Sequence, residues 1–154
     1  MESAGSVTAM YTVLAEGDDL TDPVVDAARA CLDGHIVLAR RLAQRGHFPA
    51  VDLLGSVSRV MNDVVSVSHR ELAQETREVL AAYRETADLI EVGAYVAGTN
   101  PRVDRALHCI NEVNAVLRQA PEERFTLAQT LTDLKRALET PGLAPASAKP
   151  ETHA

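Results

Sequence analysis

Residues Ser6-Val7-Thr8-Ala9-Met10-Tyr11-Thr12-Val13-Leu14 form a nearly continuous apolar run with β-branched and aromatic members. Such a run reads as a strand buried on both faces, the kind found inside parallel sheets. A strand of that type cannot satisfy its backbone donors and acceptors without neighbours. No other segment carries an equally convincing strand pattern. The expectation is therefore one orphan strand whose sheet is missing, in a chain that looks truncated, followed by helices.

The helical signals come next. The step Asp22-Pro23 suits a helix cap with proline at the first position, opening a short helical segment through Cys31 that Asp33-Gly34 breaks. The pattern Ile36, Val37, Ala39, Leu42 and Ala43 predicts a helix over His35 to Gln44, stopped by Gly46, and Phe48 to Met61 reads as irregular. From Ser68 the periodicity strengthens: Ser68 and Glu71 fit a capping box, and Leu72, Thr76, Val79, Leu80, Tyr83, Ala87 and Ile90 recur until Gly93. Asn100-Pro101 starts another helix with Val103, Leu107, Ile110, Val113 and Leu117 on one face. A third, from about Thr126 to Leu138, uses Leu127, Leu131, Leu134 and Leu138. Three amphipathic helices can share one small core. Beyond Thr140, Pro141-Gly142-Leu143-Ala144-Pro145-Ala146-Ser147-Ala148-Lys149-Pro150 has little to bury and reads as a disordered tail.

Composition narrows the function classes. A formal net charge of −7 with a pI near 5.2 repels phosphate backbones, which makes nucleic acid a poor partner. No apolar run approaches membrane-spanning length, and Met1-Glu2-Ser3-Ala4-Gly5 has no charged leader followed by an apolar stretch, so the cytoplasm is the expected compartment. Cys31 and Cys109 are isolated among apolar neighbours and read as buried thiols. The five histidines, His35, His47, His69, His108 and His153, show no ligand spacing, and no metal site is expected. Neither lysine, Lys135 or Lys149, follows a glycine, so there is no Gly-x-x-x-x-Gly-Lys-Ser/Thr loop to cradle phosphates; G-x-G-x-x-G, H-E-x-x-H and G-x-S-x-G are also missing. By itself the chain is expected to be inactive as an enzyme.

Three features remain as site candidates. Arg59, within Ser56-Val57-Ser58-Arg59-Val60, is either an anchored structural ion-pair partner or a charge pointed at a neighbour's phosphate. Phe48, within Gly46-His47-Phe48-Pro49-Ala50, either fills the local core or stacks on a base. The acidic loop with Asp18, Asp19 and Asp22 is either a solvated connection with helix caps or a docking site for a basic partner.

Taken in order, Gly5-Ser6-Val7-Thr8-Ala9, Gly17-Asp18-Asp19-Leu20-Thr21-Asp22-Pro23, Leu32-Asp33-Gly34-His35-Ile36-Val37-Leu38, His47-Phe48-Pro49-Ala50-Val51-Asp52 and Ser56-Val57-Ser58-Arg59-Val60-Met61 closely resemble the C-terminal third of type III secretion ATPases. The flagellar protein export ATPase is the preferred branch, from the look of Ala94-Tyr95-Val96-Ala97-Gly98-Thr99-Asn100-Pro101. These are relatives of the catalytic-head subunits of rotary ATP synthases. The resemblance implies a remnant of an α/β nucleotide-binding domain over residues 1–64, a C-terminal three-helix domain over 65–139 and a tail over 140–154, mainly α overall. It implies that Arg59 is an arginine finger acting on a neighbouring subunit, that Phe48 lies against adenine, and that Asp18, Asp19 and Asp22 face a central-stalk coiled coil. The intact family protein is a homohexamer that uses ATP with Mg²⁺ at the inner face of the export apparatus and meets export-gate components. Its P-loop, Walker B Asp and catalytic Glu belong to the region upstream of Gly5, so this chain alone is expected to bind no cofactor. The competing expectation is a non-catalytic helical interaction module that binds stalk or export components.

Overall fold

The structure, a computed structural model, describes residues 5, 7–15 and 22–139. Within that range it is mainly helical, with one antiparallel β-hairpin and a C-terminal three-helix unit. Helix α1 spans Pro23–Cys31 and is capped by Asp22, whose carboxylate accepts from the amides of Val24 at 2.8 Å and Val25 at 3.2 Å. Pro23 sits where a missing N–H costs nothing. The hairpin pairs β1 (Gly34–Leu38) with β2 (Val51–Ser58). The short helix α2 (Arg40–Gln44) joins them and ends at Gly46, which adopts a left-handed φ of 67°. A single turn, α3 (Met61–Val64), leads into the helical unit.

Helix α4 runs from Val67 to Glu91, with Ser66 as the cap: its hydroxyl accepts from the His69 amide at 3.3 Å. The cap thus lies two residues before the expected Ser68. Gly93, at φ 68°, closes the far end. Helix α5 (Pro101–Leu117) starts as the sequence predicts, the Asn100 side chain accepting from the Arg102 amide at 3.1 Å. Helix α6 (Leu127–Glu139) opens on a reciprocal capping box, in which the Gln129 amide donates to the Thr126 hydroxyl and the Thr126 amide to the Gln129 side chain.

The buried cluster lies wholly in these three helices: Val79 and Ala82 of α4, Ala106, Cys109, Ile110 and Val113 of α5, and Ala137 and Leu138 of α6. Tyr83, Leu72, Val116 and Leu117 pack around it. The alanines let the helices approach closely, and burying the larger members contributes roughly 1.5–3 kcal/mol each. Leu127, expected in the core, is 66% exposed at the start of α6.

The expectations for the N-terminal portion need correction. Residues 7–15 belong to no strand, and Val7, Met10, Tyr11 and Leu14 are exposed rather than buried. Their apolarity is real, but the hairpin offers them no ladder among the described residues. The helix expected over His35 to Gln44 divides into β1 and α2, and most of the segment read as irregular is β2. Cys31 is exposed at the end of α1, whereas Cys109 is buried as expected. The tail from residue 140 lies outside the described residues.

Candidate functional site

The register of the hairpin explains its geometry. Gly34 pairs with Ser58 and His35 with Val57, but Val37 pairs with Asp52 and Leu38 with Val51, so residues 53–56 of β2 bulge out of the ladder with β1. The bulge is stitched from within. Asp52 accepts from the amides of Leu54 at 3.1 Å and Gly55 at 3.2 Å. The Ser56 hydroxyl donates to the Asp52 carbonyl at 2.7 Å and accepts from the Val37 amide at 2.9 Å. Asp52 is buried, and its charge is met by Arg41 of α2 and, at 3.6 Å, by Arg84 of α4. At the base of the hairpin Gly34 is required, because a Cβ there would stand 2.6 Å from the Val57 carbonyl oxygen.

Arg59 follows immediately after β2 and is exposed. Its amide donates to the Asp33 carbonyl at 2.8 Å, which fixes the backbone. Its guanidinium donates to the carbonyls of Ala30 at 3.1 Å and Arg29 at 3.3 Å. Those are two of the last carbonyls of α1, which lack helical partners and attract a cation. Among the described residues Arg59 makes no ion pair. It is a helix-end ligand with its flank open to solvent.

Phe48 lies at the other end of β2, in the turn after α2, and is 56% exposed rather than packed in a core. The Phe48–Pro49 peptide bond is cis. The turn is held from both sides: the His47 amide donates to Leu42 at 2.9 Å, and the Gln119 amide, just beyond α5, donates to the Phe48 carbonyl at 2.9 Å. His47 is buried, and burial, helped by the Arg118 charge, holds its imidazole below the usual histidine pKa. Beside the turn a cavity of about 420 Å³ is lined by Pro49, Glu112, Arg118, Phe125, Asp133 and Arg136.

The candidates are therefore not gathered into one pocket. Arg59 and Phe48 lie at opposite ends of β2. Asp22 is at the N-terminus of α1 and Arg59 at its C-terminus, roughly 13 Å apart at 1.5 Å per residue. Asp22 is engaged as a cap, and Asp18 and Asp19 lie outside the described residues. Among the described residues no group of three or more His, Cys, Asp or Glu is placed to hold a metal ion, and no helix is long and apolar enough to cross a membrane.

Sequence reasoning missed Arg77. From α4 its guanidinium donates to the carbonyls of Leu53 at 2.7 Å, Ser56 at 3.2 Å and Leu54 at 3.3 Å, all within the bulge. A signal was available: Arg77 has Ala73 and Ala81 four residues away on either side, so no acidic residue of its own helix is spaced to neutralise it.

The chain is similar to known proteins along most of its length. The family model "T3SS EscN ATPase C-terminal domain" matches residues 65–136, and "ATP synthase alpha/beta family, nucleotide-binding domain" matches residues 1–58. A flagellum-specific ATP synthase of Pseudomonas aeruginosa is 48% identical over 134 residues, covering 87% of this chain and 30% of that protein. A type 3 secretion system ATPase of Pseudomonas syringae pv. tomato is 45% identical over 136 residues, covering 88% and 30%. Among solved structures, the assembled ATPase EscN of the enteropathogenic E. coli type III secretion system superposes with a TM-score of 0.83 at 39% identity, over 87% of this chain and 32% of that one. EscN in complex with its central stalk EscO gives 0.71 at 35% identity, over 75% and 29%. The chain thus spans about 30% of the length of the curated relatives it matches. Flagellar and secretion-system relatives stand at similar identity, which assigns the family and leaves the branch open. Matched in order by a nucleotide-binding-domain model and a C-terminal-domain model, the chain belongs to the type III secretion and flagellar ATPase family and corresponds to the C-terminal portion of its members.

Proposed function

We propose that the chain serves as the C-terminal portion of a hexameric ATPase that energises flagellar or type III protein export. In this reading it supplies Arg59 to a neighbour's active site, Phe48 to an adenine pocket, and the helical domain to the stalk. The observation that carries it is the placement of Arg59: exposed, fixed by its backbone at the end of β2, and held, among the described residues, only by neutral carbonyls. Carbonyl partners can be exchanged for a phosphate at small cost, since a charged group gains more from an anion than from a neutral acceptor. A finger of this kind stabilises charge developing on the transferred phosphoryl group, typically by about 10³-fold to 10⁵-fold. Arg59 and Phe48 stand at opposite ends of β2, which suits two different nucleotide sites, one in each adjoining subunit.

The division follows the same lines. Residues 1–64 belong to the nucleotide-binding domain and 65–139 form the helical domain. ATP and Mg²⁺ are held chiefly by P-loop and Walker B residues of the longer family members. The assembled state and stalk complex of EscN support self-association and a central-stalk partner; in this reading the partner is a coiled coil and Asp18, Asp19 and Asp22 are the acids that face it. The site of action is the cytoplasmic, inner face of the export apparatus, where export-gate components are further partners.

The test is reconstitution: this chain is combined with a P-loop-bearing N-terminal portion of a family member, and ATP hydrolysis is measured with Arg59 and with Arg59→Ala. Turnover that appears on mixing and collapses in the variant, with nucleotide binding retained, supports the reading. Near-normal hydrolysis in the variant removes the finger assignment. One observation favours a second reading, a non-catalytic helical module for stalk or export components: the buried cluster is confined to α4, α5 and α6. Stalk binding by the chain with no restored hydrolysis would select it.

A further inference from the structure

We propose that Arg77 is a positioning residue for Arg59, linking the helical unit to the strand that carries the finger. The inference rests on the finger reading given above. Its ground is the bulge of β2. Residues 53–56 have no ladder partner in β1, so their carbonyls need other donors: His35 Nε2 meets that of Gly55 at 3.2 Å, and those of Leu53, Leu54 and Ser56 remain. Arg77 serves these three, its guanidinium engaging the carbonyls of Leu53, Leu54 and Ser56 at once. Arg84 lies two turns along the same face of α4 and meets the Asp52 carboxylate at 3.6 Å, at the start of the same bulge. Two arginines of one helix therefore grip the bulge from its first residue to its last.

The grip has a direction. Beyond Ser56 only Val57 and Ser58 remain before Arg59, and both are paired to β1. A shift of the bulge is thus carried along a two-residue rigid ladder to the finger. The buried apolar cluster does not extend into the hairpin, and these polar contacts join α4 to β2. Contacts of this kind hold a geometry yet can be remade when a partner moves the helical unit. A displacement of about 1 Å at a catalytic group costs up to about 100-fold in rate.

Two measurements test the assignment. In the chain itself, Arg77→Gln is expected to speed amide exchange at Gly55, Ser56 and Arg59 by roughly tenfold while the α5 amides keep their protection. Unchanged exchange at Arg59 would overturn the link. In the reconstituted ATPase, Arg77→Gln should lower kcat by on the order of tenfold with KM for ATP little changed, and Arg77→Lys should restore part of the loss. The double variant with Arg59→Ala should be no slower than Arg59→Ala alone. Full turnover in Arg77→Gln beside a dead Arg59→Ala overturns the positioning role and leaves the finger standing. Full turnover in Arg59→Ala removes the finger instead, and the exchange result then decides whether the structural link exists. Should Arg77→Gln fail to fold, Arg77→Lys carries the exchange measurement: it keeps the charge but cannot span three carbonyls, so Arg59 exchange no faster than in the parent chain would equally overturn the link.

Discussion

Arg59 donates to the carbonyl oxygen of Ala30 across 3.1 Å, so the residue proposed to reach a neighbouring subunit rests, in a single chain, on the end of α1. Both acceptors of its guanidinium are exposed main-chain oxygens that water can serve in its place. Arg59→Ala is therefore expected to change unfolding free energy by less than about 1 kcal/mol. Urea denaturation of the two chains measures this. A loss beyond about 3 kcal/mol would show that Arg59 is first a structural residue.

The apolar cluster makes a sharper demand. Ile110 is 5% exposed in the middle of α5, and Ile110→Ala should cost about 2–5 kcal/mol, whereas Leu127→Ala, at a position 66% exposed, should cost less than about 0.5 kcal/mol. Urea midpoints with unchanged m-values separate the two. Equal costs would contradict the placement of α6.

The thiols should differ in the same way. Cys31 is exposed, while Cys109 is buried, its Sγ donates to the Arg105 carbonyl at 3.1 Å, and burial raises its pKa. A thiol reagent near neutral pH is expected to modify Cys31 quickly and Cys109 only on unfolding. Mass spectrometry of the timed reaction, with Cys31→Ser as the control, reads this directly.

Acid should loosen the Phe48 turn. Burial and Arg118 lower the His47 pKa below its model-peptide value of 6.5, so the folded chain prefers the neutral ring and the unfolded chain binds the proton more readily. The stability that this contributes is fully present above about pH 6.5 and is lost as pH falls through the lower folded value. Thermal unfolding across that range should therefore fall less steeply in His47→Asn than in the parent chain. Parallel curves would show that His47 is not the group responsible.

What could be read from residues alone follows from how local each signal is. Caps such as Asn100-Pro101 and Asp22-Pro23, and the three-and-four spacing of Thr76, Val79, Ile110 and Val113, report directly on helices because their partners lie within a turn. The hairpin was hidden because its bulge places Asp52, Gly55 and Ser56 inside a strand, which breaks the alternation that marks one. The run from Val7 to Leu14 was recognised as apolar, but its burial depends on partners that the hairpin does not provide. Arg59 stands out as an arginine among small and apolar residues, but that setting leaves its role open, and the finger reading came through resemblance. Arg77 was overlooked as one charge among many on the outer side of α4, since its acceptors lie more than twenty residues away in sequence.

Val7, Met10, Tyr11 and Leu14 stand uncovered in this chain. In a cell, an unpaired stretch of that character is what chaperones hold and proteases cut, because it resembles an unfolded segment. Covering it would protect the chain, so incorporation into a larger assembly and escape from degradation become the same event. The lifetime of the chain, and not only its chemistry, then reports whether its partners are present.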